Sequence, residues 1–310
     1  MKLQPNSIEH LQKLLSQASE VTDANLSTID KLIEYIPEDM TATVQAGMML
    51  ETFQEQLAKG DQWLPVDPPH PHDLSVGELL STNANGPRRF GFGTIRDWLI
   101  GLTFVLPDGQ LVRNGGKVVK NVAGFDLCRL FVGSHGTLGV IVEATFKLLP
   151  LPQKETFLQK ECKSLKVAEK LLEQIWNSNL QPCVLDIHRM NDHPITLVAG
   201  FSGANSDVKS QSNIAREMGI TTKTDCSYDW AFRSTAHRSE SVAPSNLFSA
   251  LRQLTNVDFV ARAGNGVFYV NDDKTKLSKE ENVDDSVSEP SILQARVKEL
   301  FDPNGKLPCL

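Results

Sequence analysis

No run of apolar residues in this chain approaches the ~18 that a membrane-spanning helix needs, and residues 1–15 are polar and charged rather than signal-like. The chain is therefore expected in the cytosol, without a membrane span of its own and meeting the inner membrane only through partners. Cysteine is scarce: Cys128, Cys162, Cys183, Cys226 and Cys309 are odd in number, widely spaced and free of any CxxC pair. That pattern argues against a disulfide framework, a cysteine-built zinc site and an iron–sulfur cluster. Positive charge is in deficit, 31 Lys+Arg against 38 Asp+Glu for a net −7, so no global attraction to nucleic acid or an anionic membrane is expected. There is no GxxxxGK[ST], and no GxGxxG between a strand and a helix, so a P-loop ATPase and an ordinary nicotinamide dehydrogenase both lose weight. His70-Pro71-His72 has no third ligand in view, and no metal is expected.

What is present is enough for folding: 310 residues with 40% apolar side chains can build one large or two modest cores. Ile8, Leu11, Leu14 and Leu15 recur at helical spacing behind Asn6 and Ser7, predicting a helix over 6–18. The alternation of residues 41–46 predicts a strand. Leu50, Phe53 and Leu57 predict a helix stopped by Gly60. Residues 97–106 and 111–113 read as strands joined by the turn Pro107-Asp108-Gly109, and 139–149 as a strand ended by Pro150 and Pro152. Beyond Pro152 a helical stripe (Leu165, Ala168, Leu171, Leu172, Ile175), a buried strand over 195–201 and a helix over 292–301 predict a second α+β domain. Residues 271–290 are polar and acidic and read as a solvated loop.

The chemistry is concentrated in the middle of the chain. Ser81-Thr82-Asn83-Ala84-Asn85-Gly86-Pro87-Arg88-Arg89, then residues 114–126, then Gly133-Ser134-His135-Gly136-Thr137-Leu138-Gly139 combine glycines with amide and hydroxyl side chains. Such loops let successive backbone N–H groups converge on one anion. Between Gly86 and Arg129 seven basic residues stand against three acidic ones, a local excess of four positive charges in an acidic chain. Any one loop alone reads as a turn with a solvated face. Three within about 60 residues favour a polyanionic cofactor.

Leu64-Pro65-Val66-Asp67-Pro68-Pro69, Leu80 through Arg89, Phe92-Gly93-Thr94-Ile95-Arg96-Asp97, the run GGKVVKNVAGFD and the run GSHGTLGVI follow one another in the order and spacing of a known family. The stretch resembles the FAD-binding fold shared by vanillyl-alcohol oxidase and p-cresol methylhydroxylase, and within it the family of glycolate oxidase E subunits. The resemblance covers residues 26–152 most strongly. It implies an α+β fold, with two α+β subdomains clasping FAD in residues 1–152 and a smaller α+β cap over 153–270. The polar loop 271–290 and a C-terminal helix and tail over 291–310 would follow. It implies that Asp67, Pro68, Pro69 and Gly77 line the cofactor's path, that Thr82, Asn83 and Ala84 meet its diphosphate and flavin portions, and that Gly139, Val140 and Ile141 present backbone to the adenine side. The sequence departs from the family in three places. Residues 16–25 contain no glycine where relatives carry a diphosphate loop, which implies a shortened first subdomain. Glu78 follows Gly77 where many relatives have a second glycine. The tail Lys306-Leu307-Pro308-Cys309-Leu310 replaces the family's Asn-Pro-Gly-Arg.

Oxidation of a 2-hydroxy acid needs a base for the hydroxyl proton and a cation for the carboxylate. His188, His193 and His237 are candidates for the first role, each equally readable as a structural histidine, and Arg88 and Arg89 for the second. No catalytic residue is assigned. The resemblance implies non-covalent FAD, a small 2-hydroxy acid such as glycolate as substrate, and a complex with a larger FAD-binding D-like subunit and an iron–sulfur subunit. The competing expectation is a flavin-poor scaffold subunit whose FAD site has degenerated.

Overall fold

The structure is a computed structural model and describes residues 1–116, 126–190, 193–236, 238–254, 257–271 and 289–309. Lys117, Lys120 and most of the run GGKVVKNVAGFD, His237, and residues 272–288 of the expected polar loop lie outside the described residues. The chain divides into two units, one built from residues 1–84, 94–151 and 284–310, the other from 85–93 and 152–283.

The first unit is organised by a five-stranded antiparallel sheet in the order Leu32–Ile36, Thr41–Gln45, Val140–Lys147, Leu99–Val105, Leu111–Gly115. The helices Leu50–Ala58, Val76–Thr82 and Leu127–Phe131 pack on it through Phe53, Leu57, Leu79, Leu80 and Phe131. Phe104 and Phe131 stack with ring centroids 3.9 Å apart. A second, smaller core joins Leu11 and Leu15 of the helix Ile8–Gln17 to Leu3, Val105, Val142 and Leu307. Ser7 caps that helix by accepting from the His10 N–H, and its apolar i, i+4 pairing turns inward as the spacing predicts. Lys2–Leu3 and Asp23–Ala24 form a small parallel pair beside it.

The second unit is a seven-stranded antiparallel sheet in the order Thr222–Thr224, Lys154–Cys162, Ile195–Gly203, Val184–Arg189, Phe259–Arg262, Val267–Val270, Arg238–Ser241. The helices Leu165–Trp176, Asn205–Glu217 and Leu247–Gln253 cover one face over Leu185, Ile187, Leu197, Ala199, Phe201, Phe259, Ala261 and Phe268. Alternation places Val184, Val198 and Val260 in a second cluster, joined by Tyr228 and Phe232 of the helix Ser227–Arg233. Residues 85–93, read from sequence as part of the first domain, group with this unit. Their reasons are local: Gly91 N–H donates to the Cys183 carbonyl (3.0 Å), Arg88 pairs with Glu155 (2.7 Å), and Arg233 donates to the Asn85 carbonyl (3.0 Å).

Candidate functional site

A groove of about 550 Å³ opens within the first unit. One wall is the segment 21–27. The other comprises the first turns of helix 76–82, with Ala46, Gly47 and Met49 beside it. The floor is Ser134-His135-Gly136 and the start of strand 140–147, and Leu307 and Pro308 close one end.

The floor loop is held by its own hydrogen bonds. Gly133 N–H donates to the Leu80 carbonyl and His135 N–H to the Ser81 carbonyl, both at 2.9 Å, tying the loop to helix 76–82. Thr137 closes it from within, its Oγ1 donating to the Ser134 carbonyl at 2.7 Å. Gly133, His135 and Gly136 take positive φ of 83°, 50° and 74°, so three left-handed residues fall within four positions. At Gly136 an added Cβ would meet nothing within 4 Å, which leaves the groove open at that point. Gly47 on the far side is a packing requirement instead: a Cβ there would lie 1.8 Å from the Leu26 carbonyl oxygen.

Helix 76–82 begins with a capping box. Glu78 N–H donates to Ser75 Oγ at 3.2 Å, while Ser75 N–H and Oγ–H both donate to Glu78 Oε2 at 2.8 Å. Three amides of the segment 21–27 are bonded to backbone outside it. Val21 N–H donates to the Lys306 carbonyl (2.7 Å), Thr22 N–H to Met1 (3.0 Å) and Asn25 N–H to Leu3 (2.9 Å). These three amides are thus spent on the fold.

One buried polar group among the groove's lining residues is left unpaired, as a site awaiting a ligand would leave it. Ser134 is 6% exposed and lines the groove, and its Oγ has no hydrogen-bond partner among the described residues. A buried hydroxyl left in this state costs about 1–3 kcal/mol, which a ligand pairing with it would recover. Asp23, Asp73 and Glu78 also line the groove, and none of the described lining residues is a lysine or arginine.

Of the residues the resemblance implied, Gly77, Gly139, Val140 and Ile141 line this groove. Asp67 and Pro68 are buried elsewhere in the unit, and Pro69 is half-buried beside them. Thr82, Asn83 and Ala84 end the helix: Thr82 Oγ1 donates to the Glu78 carbonyl (2.6 Å), Asn83 sits at φ 50° as the C-cap, and Ala84 N–H donates to the Leu79 carbonyl. These five residues and Asp67 are not among the groove's lining. The wall 21–27 carried no motif to find it by. Glu78 was legible through the S-x-x-E pattern of its capping box.

Of the candidate catalytic groups, His188 is interior, Arg88 is paired, His193 is exposed and Arg89 is half-buried. Arg262, fully buried, bridges Asp186 and Asp229, and Tyr228 Oη donates to Asp186 at 2.7 Å. Burial pushes the Asp186 carboxyl up to about 6, with Arg262 working against it. His188 stacks on Tyr228 at 4.6 Å, and burial lowers its imidazole to about 4. Arg88 is committed to Glu155 and lies over the Phe157 ring.

Residues 13–115 match the model of an FAD binding domain. The chain is 36% identical over 171 residues to the glycolate oxidase subunit GlcD of Bacillus subtilis, an alignment covering 55% of this chain and 36% of that protein. It is 36% identical over 152 residues to the glycolate oxidase subunit GlcE of Escherichia coli, covering 49% of this chain and 42% of that protein. A D-lactate dehydrogenase of Anaerostipes hadrus is 32% identical, over 52% of this chain and 34% of that protein. These alignments span well under half the length of each relative. Among solved structures, an alkyldihydroxyacetonephosphate synthase superposes with a TM-score of 0.72 at 17% identity, covering 98% of this chain and 74% of that one, which establishes the fold. The family match thus bears on residues 13–115, and the structural likeness on the fold.

Proposed function

We propose that the chain is a flavoprotein subunit of the glycolate oxidase E kind. It carries non-covalent FAD in the groove of its first unit and takes part in oxidising glycolate or a related 2-hydroxy acid. The partners in this reading are a larger FAD-binding D-like subunit and an iron–sulfur subunit. The observation that carries it is the buried, unpartnered hydroxyl of Ser134, a residue lining the groove of a chain that resembles GlcD and GlcE over about half its length. When bound, FAD supplies the two-electron acceptor for the hydroxy acid. Ser134 would hydrogen-bond the cofactor, Gly136 would leave it room, and Gly139, Val140 and Ile141 would offer backbone along its length. Among the described residues no helix is long and apolar enough to cross a membrane.

A second reading, a scaffold subunit with little flavin, is favoured by the carboxylates along the groove. One experiment separates the two. The purified chain is incubated with FAD, passed through gel filtration and its visible spectrum recorded, and dye reduction is assayed with glycolate and D-lactate for the chain co-purified with its partners. Flavin bands in the protein peak, with turnover in the complex, are expected. A colourless chain that accepts no added FAD in either state leaves the scaffold reading.

A further inference from the structure

The groove's charges have a consequence for what it selects. Three carboxylates line it, from Asp23, Asp73 and Glu78, with no lining lysine or arginine among the described residues. Asp23 has Lys2 at 4.0 Å, but both side chains are largely exposed and the pair is screened. Asp73 stands on an exposed turn, and its side chain makes no hydrogen bond among the described residues. Glu78 is exposed as well, but two 2.8 Å hydrogen bonds from Ser75 to the same Oε2 hold its carboxylate in place on this lining residue. On the opposite wall the Val21, Thr22 and Asn25 amides are committed to Lys306, Met1 and Leu3 and are not offered to a phosphate. Lys298 and Lys306 at the closed end are engaged as well, Lys298 by Asp302 and the Thr137 and Leu307 carbonyls, Lys306 by the Leu15 and Pro107 carbonyls. The independent mark of a ligand here is Ser134 Oγ, buried and unpartnered on the groove floor.

We propose that Glu78 is the specificity-determining residue of this groove: its fixed carboxylate disfavours the diphosphate of FAD, so the chain holds the dinucleotide as a loosely bound, exchangeable cofactor. The proposal rests on the flavin reading above. Like charges held a few ångströms apart in a partly wetted groove repel, and mobile salt screens that repulsion. Affinity for FAD should therefore rise with ionic strength, the reverse of a phosphate site built from lysines. A phosphate-free flavin with the same ring should feel neither effect.

The test titrates the purified full chain with FAD and with riboflavin, followed by flavin fluorescence, at low and high sodium chloride. Glu78→Gln keeps the capping box, because glutamine serves at that position. Glu78→Ala serves as the second variant, with melting curves to confirm folding. Both should bind FAD about five- to tenfold more tightly than the unaltered chain at low salt, with riboflavin affinity unchanged. The unaltered chain should bind FAD more tightly as salt is raised. FAD affinity that is unchanged or lower in both variants, or that falls with salt in the unaltered chain, overturns the proposal while leaving the flavin site standing. If neither flavin binds the unaltered chain or either variant, the flavin reading itself falls and takes the proposal with it.

Discussion

Asp186 and His188 are two residues apart on one strand, on the same face of the sheet, and burial drives their titrations in opposite directions. Folding raises Asp186 to about 6 from the ordinary carboxylate value, so the folded state holds that proton more tightly than the unfolded chain. Its contribution to stability is fully present below the unfolded value and is lost as pH rises through about 6. His188 is lowered to about 4, so protonation favours unfolding, and stability is lost as pH falls from about 6.5 towards 4. The two partly cancel in the intact protein. Against the unaltered chain, His188→Phe should gain about 2–3 kcal/mol of relative stability between pH 6.5 and 4. Asp186→Asn should lose relative stability over the same range. Denaturant melts across pH check both, and parallel curves for the two variants would refute the assignment. The same burial explains why a histidine that is a candidate base on paper is an interior group in the fold.

At the scale of elements, periodic patterns were readable and interruptions were not. The helices 8–17, 50–58 and 165–176 and the strand 41–45 fall where apolar spacing puts them, because each buries one continuous stripe. The hairpin at Gly109, with φ 88°, follows from its Pro-Asp-Gly turn. The strand read as starting at Asp97 begins at Leu99 instead, since Thr94 and Asp97 form a capping box that winds Ile95–Trp98 into a helical turn. The strand read through Leu149 is broken after Lys147, and Leu149–Pro150 pairs separately with Gln62–Trp63. Ser81 through Arg89 looked like one anion-binding loop. It is the end of a helix, a left-handed cap and a crossing into the other unit. What local pattern could not show is the strap formed by the helix Glu289–Phe301 and its tail. Lys298 there donates to the Thr137 carbonyl at 2.8 Å, to Asp302 and to the Leu307 carbonyl at 3.1 Å, linking the tail to the groove's floor loop. Asp302 is buried and would be pushed up by that burial, but hydrogen bonds from Lys298, Leu307 and Lys306 hold it below the ordinary carboxylate value. Lys298→Met leaves that carboxylate without its cation and should cost about 2–4 kcal/mol. A thermal melt of the variant that matched the unaltered chain would show the strap to be dispensable.

At the scale of the whole molecule, charge was a fair guide to class and a poor guide to place. The local positive excess between Gly86 and Arg129 pointed to a polyanion. Yet Arg88 is spent on Glu155, Arg96 donates to the Val132 carbonyl, Arg129 pairs with Asp126, and the groove itself is lined by carboxylates. The GSHGTLGVI run, by contrast, forms the groove's floor and the start of its central strand, because its glycines specify a backbone geometry. The segment without glycine, residues 16–25, forms a short strand and a wall rather than a cradle of amides, which is why its contribution escaped a reading based on phosphate loops. The central claim is that flavin lies in this groove. Hydrogen–deuterium exchange of the full chain, with and without saturating FAD, tests it most directly. Added FAD should slow exchange in residues 21–27, 75–78 and 134–141 together; protection confined to other segments, or none at saturation, would contradict it.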